Sequence, residues 1–275
     1  MLRVFNDSNQ EVYVKFWKFP AGETGVKLQG ICGNFVQISL FFESNNDLIN
    51  LMFLCDAIRE QVGNHVKIYL SIPYFPYARQ DRYCTEGESF SLRVVCNLIS
   101  ALNFERIYVD DIHSEVMKGF FPAGTLDNSN QVDLQAYLVN EIMNSSLGTK
   151  AIVAPDNGAV KKASAAAKEH NLDLIEFSKQ RDPKDGSIKS IKCNLDKDAL
   201  NKYSSLIVVD DICDGGYTFL QLAQVIKEEY NFTGDLHLVV THGIFSKGFD
   251  ELNKYYTSIN WVNSVGNKEL NNERN

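Results

Sequence analysis

Apolar positions along the chain fall into short β-branched runs separated by longer stretches with helical spacing, an alternation that predicts an α/β protein. Val12 to Phe19 and Phe35 to Phe42 read as strands, with a turn at Phe19-Pro20-Ala21-Gly22-Glu23 between them. Asn46 is placed to cap a helix running to about Gln61, whose inner face carries Leu48, Leu51, Met52, Leu54, Cys55 and Ile58. Val66 to Ile72 is a buried strand that Pro73 and Pro76 break. Ser91 to Leu102 follows as a helix, and Arg106 to Val109 as a short strand ending in Asp110-Asp111.

A polar stretch, Gly124 to Asn130, predicts a domain boundary that divides the chain into residues 1–127 and 128–275. Beyond it, helices at Val132 to Met143 and Ala159 to Glu169 alternate with strands at Ala151 to Ala154 and Leu172 to Phe177. Ser178 to Gly186 is polar and charged and reads as a mobile loop, followed by short strands around Ile188 to Cys193. Asp235 to Thr241 and Ser258 to Val262 complete the strands, and Gly266 to Asn275 reads as a frayed tail. A strand ending in two acids occurs twice, at Asp110-Asp111 and Asp210-Asp211. That repetition suggests two related α/β domains, each a mainly parallel sheet flanked by helices.

The second occurrence carries the most chemistry. Leu206 to Val209 is a buried parallel strand, Asp210 and Asp211 follow at once, and Asp214-Gly215-Gly216 turns the chain into a helix from about Tyr217 to Glu229. Leu220, Leu222, Ala223, Val225 and Ile226 form the inner face of that helix. Free N–H groups at a helix start attract phosphate, and Gly215 and Gly216 let it approach the backbone. Asp210 and Asp211 suit either the vicinal hydroxyls of a ribose or a metal ion. The plain alternative is an ordinary βα turn with solvated acids.

Composition narrows the function classes. The chain has 275 residues, 44% apolar and 23% charged, with a net charge of −8, which fits a folded protein and argues against general nucleic-acid binding. Six cysteines (Cys32, Cys55, Cys84, Cys96, Cys193 and Cys213) show no C-x-x-C spacing and read as free thiols in a reducing cytoplasm. No signal-peptide pattern or membrane-length apolar run occurs, so a cytoplasmic protein without membrane contact is expected.

Two further stretches offer cations. Tyr77-Ala78-Arg79-Gln80-Asp81-Arg82 lies in a loop that prolines hold extended, where guanidinium forks can grip phosphate. Lys179-Gln180-Arg181 opens the polar loop, where two cations can close over a transferring phosphoryl group. Solvated charged loops are the alternative for both.

These stretches carry a family resemblance. Val208-Val209-Asp210-Asp211 resembles the phosphoribosyl-pyrophosphate (PRPP) loop of type I phosphoribosyltransferases and PRPP synthetases. Tyr77 to Arg82, after Ile72-Pro73-Tyr74, resembles the Tyr-Ala-Arg-Gln-Asp-Arg signature of PRPP synthetases, which separates them from the phosphoribosyltransferases. Asp111-Ile112-His113-Ser114, Gly119-Phe120-Phe121, Pro155-Asp156-Asn157-Gly158 and Thr241-His242-Gly243-Ile244-Phe245-Ser246 are similar to further family motifs. The resemblance implies two tandem type I phosphoribosyltransferase-like domains, the first carrying the ATP-binding loops and the second the PRPP loop and catalytic flexible loop.

The same likeness implies roles. ATP would be held by Arg79, Gln80, Asp81 and His113, with Phe19 and Glu23 reaching it from a neighbouring subunit of a homo-oligomer, at least a dimer. Phe19 stacks on adenine in that reading; as a residue by itself it could equally be core. The ribose and its phosphate would be held by Asp210, Asp211, Asp214, Gly215, Gly216, Tyr217 and Thr218. His113 and Asp156 would contact magnesium (Mg2+), although His113 could also donate to one of the metal's own ligands or contact the nucleotide. Lys179 and Arg181, with His113, are the expected catalytic residues. The implied reaction moves the diphosphoryl group of ATP to the anomeric hydroxyl of ribose 5-phosphate.

The likeness breaks at two places. Asp214-Gly215-Gly216-Tyr217-Thr218 stands where the family reads Asp-Thr-x-Gly-Thr, so one hydroxyl donor is lost at the phosphate cradle. That loss suits a phosphodiester, as in ADP-ribose, the acceptor expected of a trimmed phage-type branch that would serve NAD metabolism. Glu86-Gly87-Glu88-Ser89-Phe90-Ser91-Leu92-Arg93 also departs from the family's run after its arginine signature. A non-catalytic relative that regulates true synthetases is the alternative of another class, opposed by the retention of Lys179, Arg181, His113 and Asp156.

Overall fold

Alternating strands and helices build two six-stranded sheets in the computed structural model, one in each of two units of chain, Met1–Ser129 and Asn130–Ser264. The structure describes residues 1–30, 32–128, 131–145, 148–181 and 188–266, and within these all side chains except those of residues 131–133, 145, 179–181, 188–190 and 197–198. The tail expected from Gly266 onward lies, but for Gly266 itself, outside the described residues.

In the first unit the strands are β1 (Leu2–Phe5), β2 (Glu11–Val12), β3 (Val14–Lys18), β4 (Thr24–Leu28), β5 (Phe35–Leu40), β6 (Lys67–Ser71), β7 (Arg106–Tyr108) and β8 (Leu126–Asp127), with helices α1 (Asn46–Val62) and α2 (Ser91–Ser100). The sheet runs β2-β1-β5-β6-β7-β8, parallel from β5 to β8 and antiparallel on the β1-β2 side. The single strand expected at Val12 to Phe19 is two pieces: β2 joins this sheet, whereas β3 pairs with β4 in a separate antiparallel hairpin. Val36, Ile38 and Leu40 of β5 share one apolar cluster with Leu51, Leu54 and Ile58 of α1 and Leu92, Cys96 and Ile99 of α2. Asn46 does not cap α1. Asn45 takes the cap position without a side-chain bond, and Asp47 instead folds back, its carboxylate accepting the N–H groups of Glu43 and Ser44 at 2.8 Å each.

The second unit holds α3 (Gln131–Ser145), β9 (Lys150–Ala154), α4 (Val160–Glu169), β10 (Asp173–Arg181), β11 (Ile188–Cys193), β12 (Ser205–Cys213), α5 (Tyr217–Gln224), β13 (Asp235–Gly243) and β14 (Ser258–Ser264). Its strand order is β11-β10-β9-β12-β13-β14, all parallel except the edge strand β11. β9 and β12 are buried almost throughout because helices and loops leave neither face to water, which is why both read as unbroken apolar runs. The helix expected through Glu229 is α-helical only to Gln224; Val225–Glu229 widens into one π turn, with Tyr230 N–H donating to the Val225 carbonyl. No described helix is long and apolar enough to cross a membrane.

Two features of the second unit give stability predictions. Gly234 leads into β13 with the Ser204 carbonyl oxygen where a methyl group would stand, so backbone must move to admit any side chain. Gly234→Ala should lower stability by about 1–3 kcal/mol; urea unfolding with an unchanged midpoint would contradict this. His237 is buried, its Nδ1 lies 2.9 Å from Ser258 Oγ, and burial, with a smaller contribution from the Lys150 charge, pulls its pKa below the ordinary value against the opposing charge of Asp235. An unfolded chain titrating near ~6.5 then binds more protons than the fold below that pH, so stability is full above it and falls as pH drops. Melting temperatures measured between about pH 7 and pH 5 should fall in the natural chain and fall less in His237→Gln; parallel pH profiles would show that this ring is not responsible.

Candidate active site

In the first unit the candidate residues lie on loops that leave the carboxyl ends of β6 and β7. After β6 the chain is not held extended as expected: it bends at Pro73-Tyr74 and turns over residues 76–79, with Tyr77 in a left-handed backbone (φ 61°). Gln80 N–H donates to the Tyr77 carbonyl at 3.0 Å, and Arg79 and Gln80 are exposed. Asp81 points the other way and is buried. Burial works to raise its carboxyl pKa. Hydrogen bonds from Arg82 and Ser114, and the charges of Arg82 and His113, overcome that and hold it below the usual carboxylate range. Arg82 Nε donates to Asp81 at 2.9 Å. The arginine loop and the Asp111-Ile112-His113-Ser114 segment therefore meet where His113 and Ser114 face Asp81, 32 and 33 residues away in sequence. His113 itself is exposed, while Asp111 is buried and Ser114 caps the short 3-10 turn Glu115–Phe120.

Phe19 and Glu23 sit elsewhere, at the tip of the β3–β4 hairpin. Phe19 N–H donates to the Glu23 carbonyl and Gly22 N–H to the Phe19 carbonyl, both at 2.8 Å, and Gly22 needs its positive φ of 91° to close the turn. Phe19 is 48% exposed and packs edge-on against Trp17 with ring centroids 5.8 Å apart, so it is not a core residue.

The second unit gathers its acids at one edge. Strand order β10-β9-β12 reverses direction of growth between β9 and β12, and in open α/β sheets a ligand crevice opens outside the carboxyl ends at such a reversal. Asp156 follows β9, and its carboxylate accepts the N–H groups of Gly158 (3.0 Å) and Ala159 (3.3 Å), shaping the turn into α4. β12 extends to Cys213 rather than ending at Val209, so Asp210 and Asp211 are strand residues; Asp210 turns its carboxylate back to accept the Asp211 N–H at 2.8 Å, and the two side chains meet. Burial, then the charges of Asp211 and Asp156, push the Asp210 carboxyl pKa well up. Asp211 is buried against Lys162 of α4, whose Nζ lies 3.4 Å away with the lysine side chain 10% exposed. Burial, followed by the charges of Asp210 and Asp214, also raises the Cys213 thiol to about 12, leaving it an inert neighbour.

The turn beyond the acids depends on one glycine. Gly216 adopts φ 75° at the head of α5, a conformation that favours glycine, and Leu252 packs beneath it. Asp214 accepts the Ser246 hydroxyl at 2.6 Å. Tyr217 is 65% exposed and its hydroxyl accepts from Gln221 Nε2 at 2.7 Å; Thr218 is half-buried at the first turn of the helix.

Lys179 and Arg181 do not lie in a loop. β10 continues through Arg181 and pairs antiparallel with β11, with a bulge between Gln180 and Arg181. The apolar run that predicts β10 stops at Phe177, but backbone pairing with β11 carries the strand on into polar sequence; residues 182–187 of the expected loop lie outside the described residues. Two contributors gave no sequence signal. Lys162 reads as one of several helix lysines until α4 brings it to Asp211, and Gln135 of α3 is buried with its amide donating to Thr241 Oγ1 (3.3 Å) and the Asp210 carbonyl (3.4 Å).

Oxygen donors suit a magnesium ion, and the crowding of Asp156, Asp210 and Asp211 is the kind of charge that a cation relieves. Among the described residues, no three His, Cys, Asp or Glu side chains converge as a ready-made cage. The donor set fits a metal that completes its shell with substrate oxygens and water.

Comparison with known proteins gives the family. Residues 2–102 match the model of the N-terminal domain of ribose phosphate pyrophosphokinase. Ribose-phosphate pyrophosphokinase of Thermococcus kodakarensis is 30% identical over 240 residues, covering 86% of this chain and 79% of that protein. The Pyrococcus furiosus enzyme of the same name is 29% identical over 255 residues, covering 92% and 86%. Among solved structures, phosphoribosylpyrophosphate synthetase from Mycobacterium smegmatis superposes with a TM-score of 0.74 at 24% identity over 90% of this chain and 79% of that one, a likeness of fold. With sequence identity sustained over more than three quarters of both chains, this protein belongs to the ribose-phosphate pyrophosphokinase family of transferases.

Proposed function

We propose that the chain transfers the β,γ-diphosphoryl group of ATP to the anomeric hydroxyl of ribose 5-phosphate, giving PRPP and AMP. The observation that carries this reading is the meeting of Asp156, Asp210 and Asp211 beside the left-handed Gly216 turn, an arrangement suited to a phosphorylated sugar. Arg79, Gln80, Asp81 and His113 are assigned to ATP. Asp210 and Asp211 accept the ribose hydroxyls, and Asp214 through Thr218 surround its phosphate. Phe19 and Glu23 are assigned to the ATP of a neighbouring copy in a homo-oligomer of the cytoplasm.

In the transfer step the anomeric oxygen forms a bond to the β-phosphorus while the bond from that phosphorus to the α,β-bridging oxygen breaks. AMP leaves with that oxygen, and the hydroxyl proton passes to solvent. Lys179 and Arg181 hold the migrating group and take up the negative charge that spreads onto its oxygens. His113 and Asp156 are the side chains assigned to magnesium, which when bound neutralises phosphate charge. Holding both substrates in line supplies much of the remaining acceleration.

A second acceptor is favoured by one feature of the turn. Gly215 and Gly216 present no hydroxyl, and a cradle one donor short suits the substituted phosphate of ADP-ribose as well as a monoester. Incubating the protein with ATP, magnesium and either acceptor, and following AMP by mass spectrometry, separates the two. AMP release with neither acceptor would refute the transferase reading and leave a regulatory relative.

Lys179→Ala should lower kcat by about a hundredfold or more while changing acceptor binding little; equal losses in both would contradict the clamp. Lys162→Met leaves Asp211 without its counter-charge, so the KM for the acceptor should rise about tenfold with the KM for ATP unchanged. A rise confined to ATP would place Asp211 on the wrong substrate.

A further inference from the structure

The turn that would receive the acceptor's phosphate is short of donors and rich in negative charge. Asp210, Asp211 and Asp214 stand within five residues of one another, Gly215 and Gly216 contribute backbone alone, and Thr218 is the one hydroxyl among residues 214–218 apart from the phenol of Tyr217. Lys162 is committed to Asp211 in a nearly buried pair. A phosphate dianion placed here meets repulsion unless a further cation faces it.

Such a cation is supplied from the segment after β13. Ile244 and Phe245 both donate their N–H groups to the Cys213 carbonyl, at 2.9 and 3.2 Å, and Phe245 takes a left-handed backbone (φ 45°) that turns the chain back over the glycine turn. Phe245 is buried against Phe249 and Trp261, with ring centroids 4.5 and 5.2 Å away, and Ser246 is tied to Asp214. Anchored on both sides, Lys247 lays its stem across Gly215: Cγ, Cδ and Cε each lie 3.7–3.8 Å from where a β-carbon of residue 215 would stand. The ammonium is one bond beyond. Gly215 lacks a positive φ, so its backbone does not demand glycine. A methyl group would make ordinary contact with the lysine stem, whereas a branched, hydroxyl-bearing side chain would compete for the same space.

We propose that Lys247 is a binding residue for the phosphate on C5 of the acceptor, its ammonium standing in for the side-chain hydroxyl that Gly215 lacks. This rests on the acceptor site assigned above. Its ligand is a phosphate ester of ribose, and both the monoester (ribose 5-phosphate) and the substituted diphosphate (ADP-ribose) present the charge it recognises. A flexible, exposed lysine accommodates either form, since its ammonium is a point charge without fixed directionality.

The test uses the natural chain, Lys247→Met and Lys247→Arg, with thermal melts confirming that each folds. For whichever acceptor the natural chain turns over, Lys247→Met should raise the KM about tenfold. Its kcat at saturation should fall less than about threefold, and the KM for ATP should not move. The affinity of the natural chain should weaken with added salt more steeply than that of Lys247→Met, and Lys247→Arg should recover most of the loss. A KM for the acceptor within about twofold of the natural value in Lys247→Met, or equal rises for ATP and acceptor, would overturn the assignment. Calorimetric titration with ribose 5-phosphate and ADP-ribose keeps this apart from the question of activity. An inactive natural chain that binds either ester, and loses that binding in Lys247→Met, would refute the reaction but keep the lysine's role. A natural chain that binds neither would overturn both.

Discussion

Carboxylates crowded at the ends of adjacent parallel strands repel one another, and a fold keeps them there only if something else holds the strands in place. In the second unit β9 and β12 are buried runs of Ala, Ile, Leu and Val, paired in register from Lys150–Ser205 to Val153–Val208. Their packing fixes where Asp156 and the Asp210-Asp211 pair emerge. The electrostatic strain is visible in Asp210, whose carboxyl is pushed up, and is relieved at Asp211 by Lys162. Neutralising one acid while leaving its neighbour strained creates a place where sugar hydroxyls or a cation are welcome.

The first unit repeats the device with different partners. The second acid of each pair, Asp111 and Asp211, is the more deeply buried one, at 3% and 4% exposure. Around Asp81 the balancing charges come from Arg82 and His113. Each unit thus sets two acids just beyond or at the carboxyl end of a parallel strand, and in each a buried carboxylate, Asp81 in one and Asp211 in the other, is balanced by a nearby cation. Arg79 in one unit and Lys247 in the other are exposed cations that can meet phosphate.

Much of this was legible in the sequence, because parallel strands buried on both faces must be apolar runs and turns need glycine. The runs at Ala151 to Ala154 and Leu206 to Val209, the helix face of α1, and the glycine turn before α5 all follow from such local rules. The α/β class and the two mainly parallel sheets follow with them. What stayed hidden depends on contacts between distant residues. β1 and β2 are too short to show periodicity, and β8 lies within the polar stretch read as a boundary. β10 continues past Phe177 because β11 pairs with it, not because its residues favour a strand. Asn46 has the right chemistry for a cap, but Asp47 carries a full charge to the same helix end. Lys162, Gln135 and Lys247 look like ordinary polar residues until the fold sets each against the acids or the glycine turn.

The most direct measurement is the calorimetric affinity of ribose 5-phosphate for the natural chain and for Asp211→Asn, a change that keeps shape and removes charge. Loss of about tenfold or more in the variant is expected if the paired carboxylate accepts the sugar's hydroxyls. Undiminished binding in a folded Asp211→Asn protein would contradict the assignment of this acid-lined edge to the acceptor.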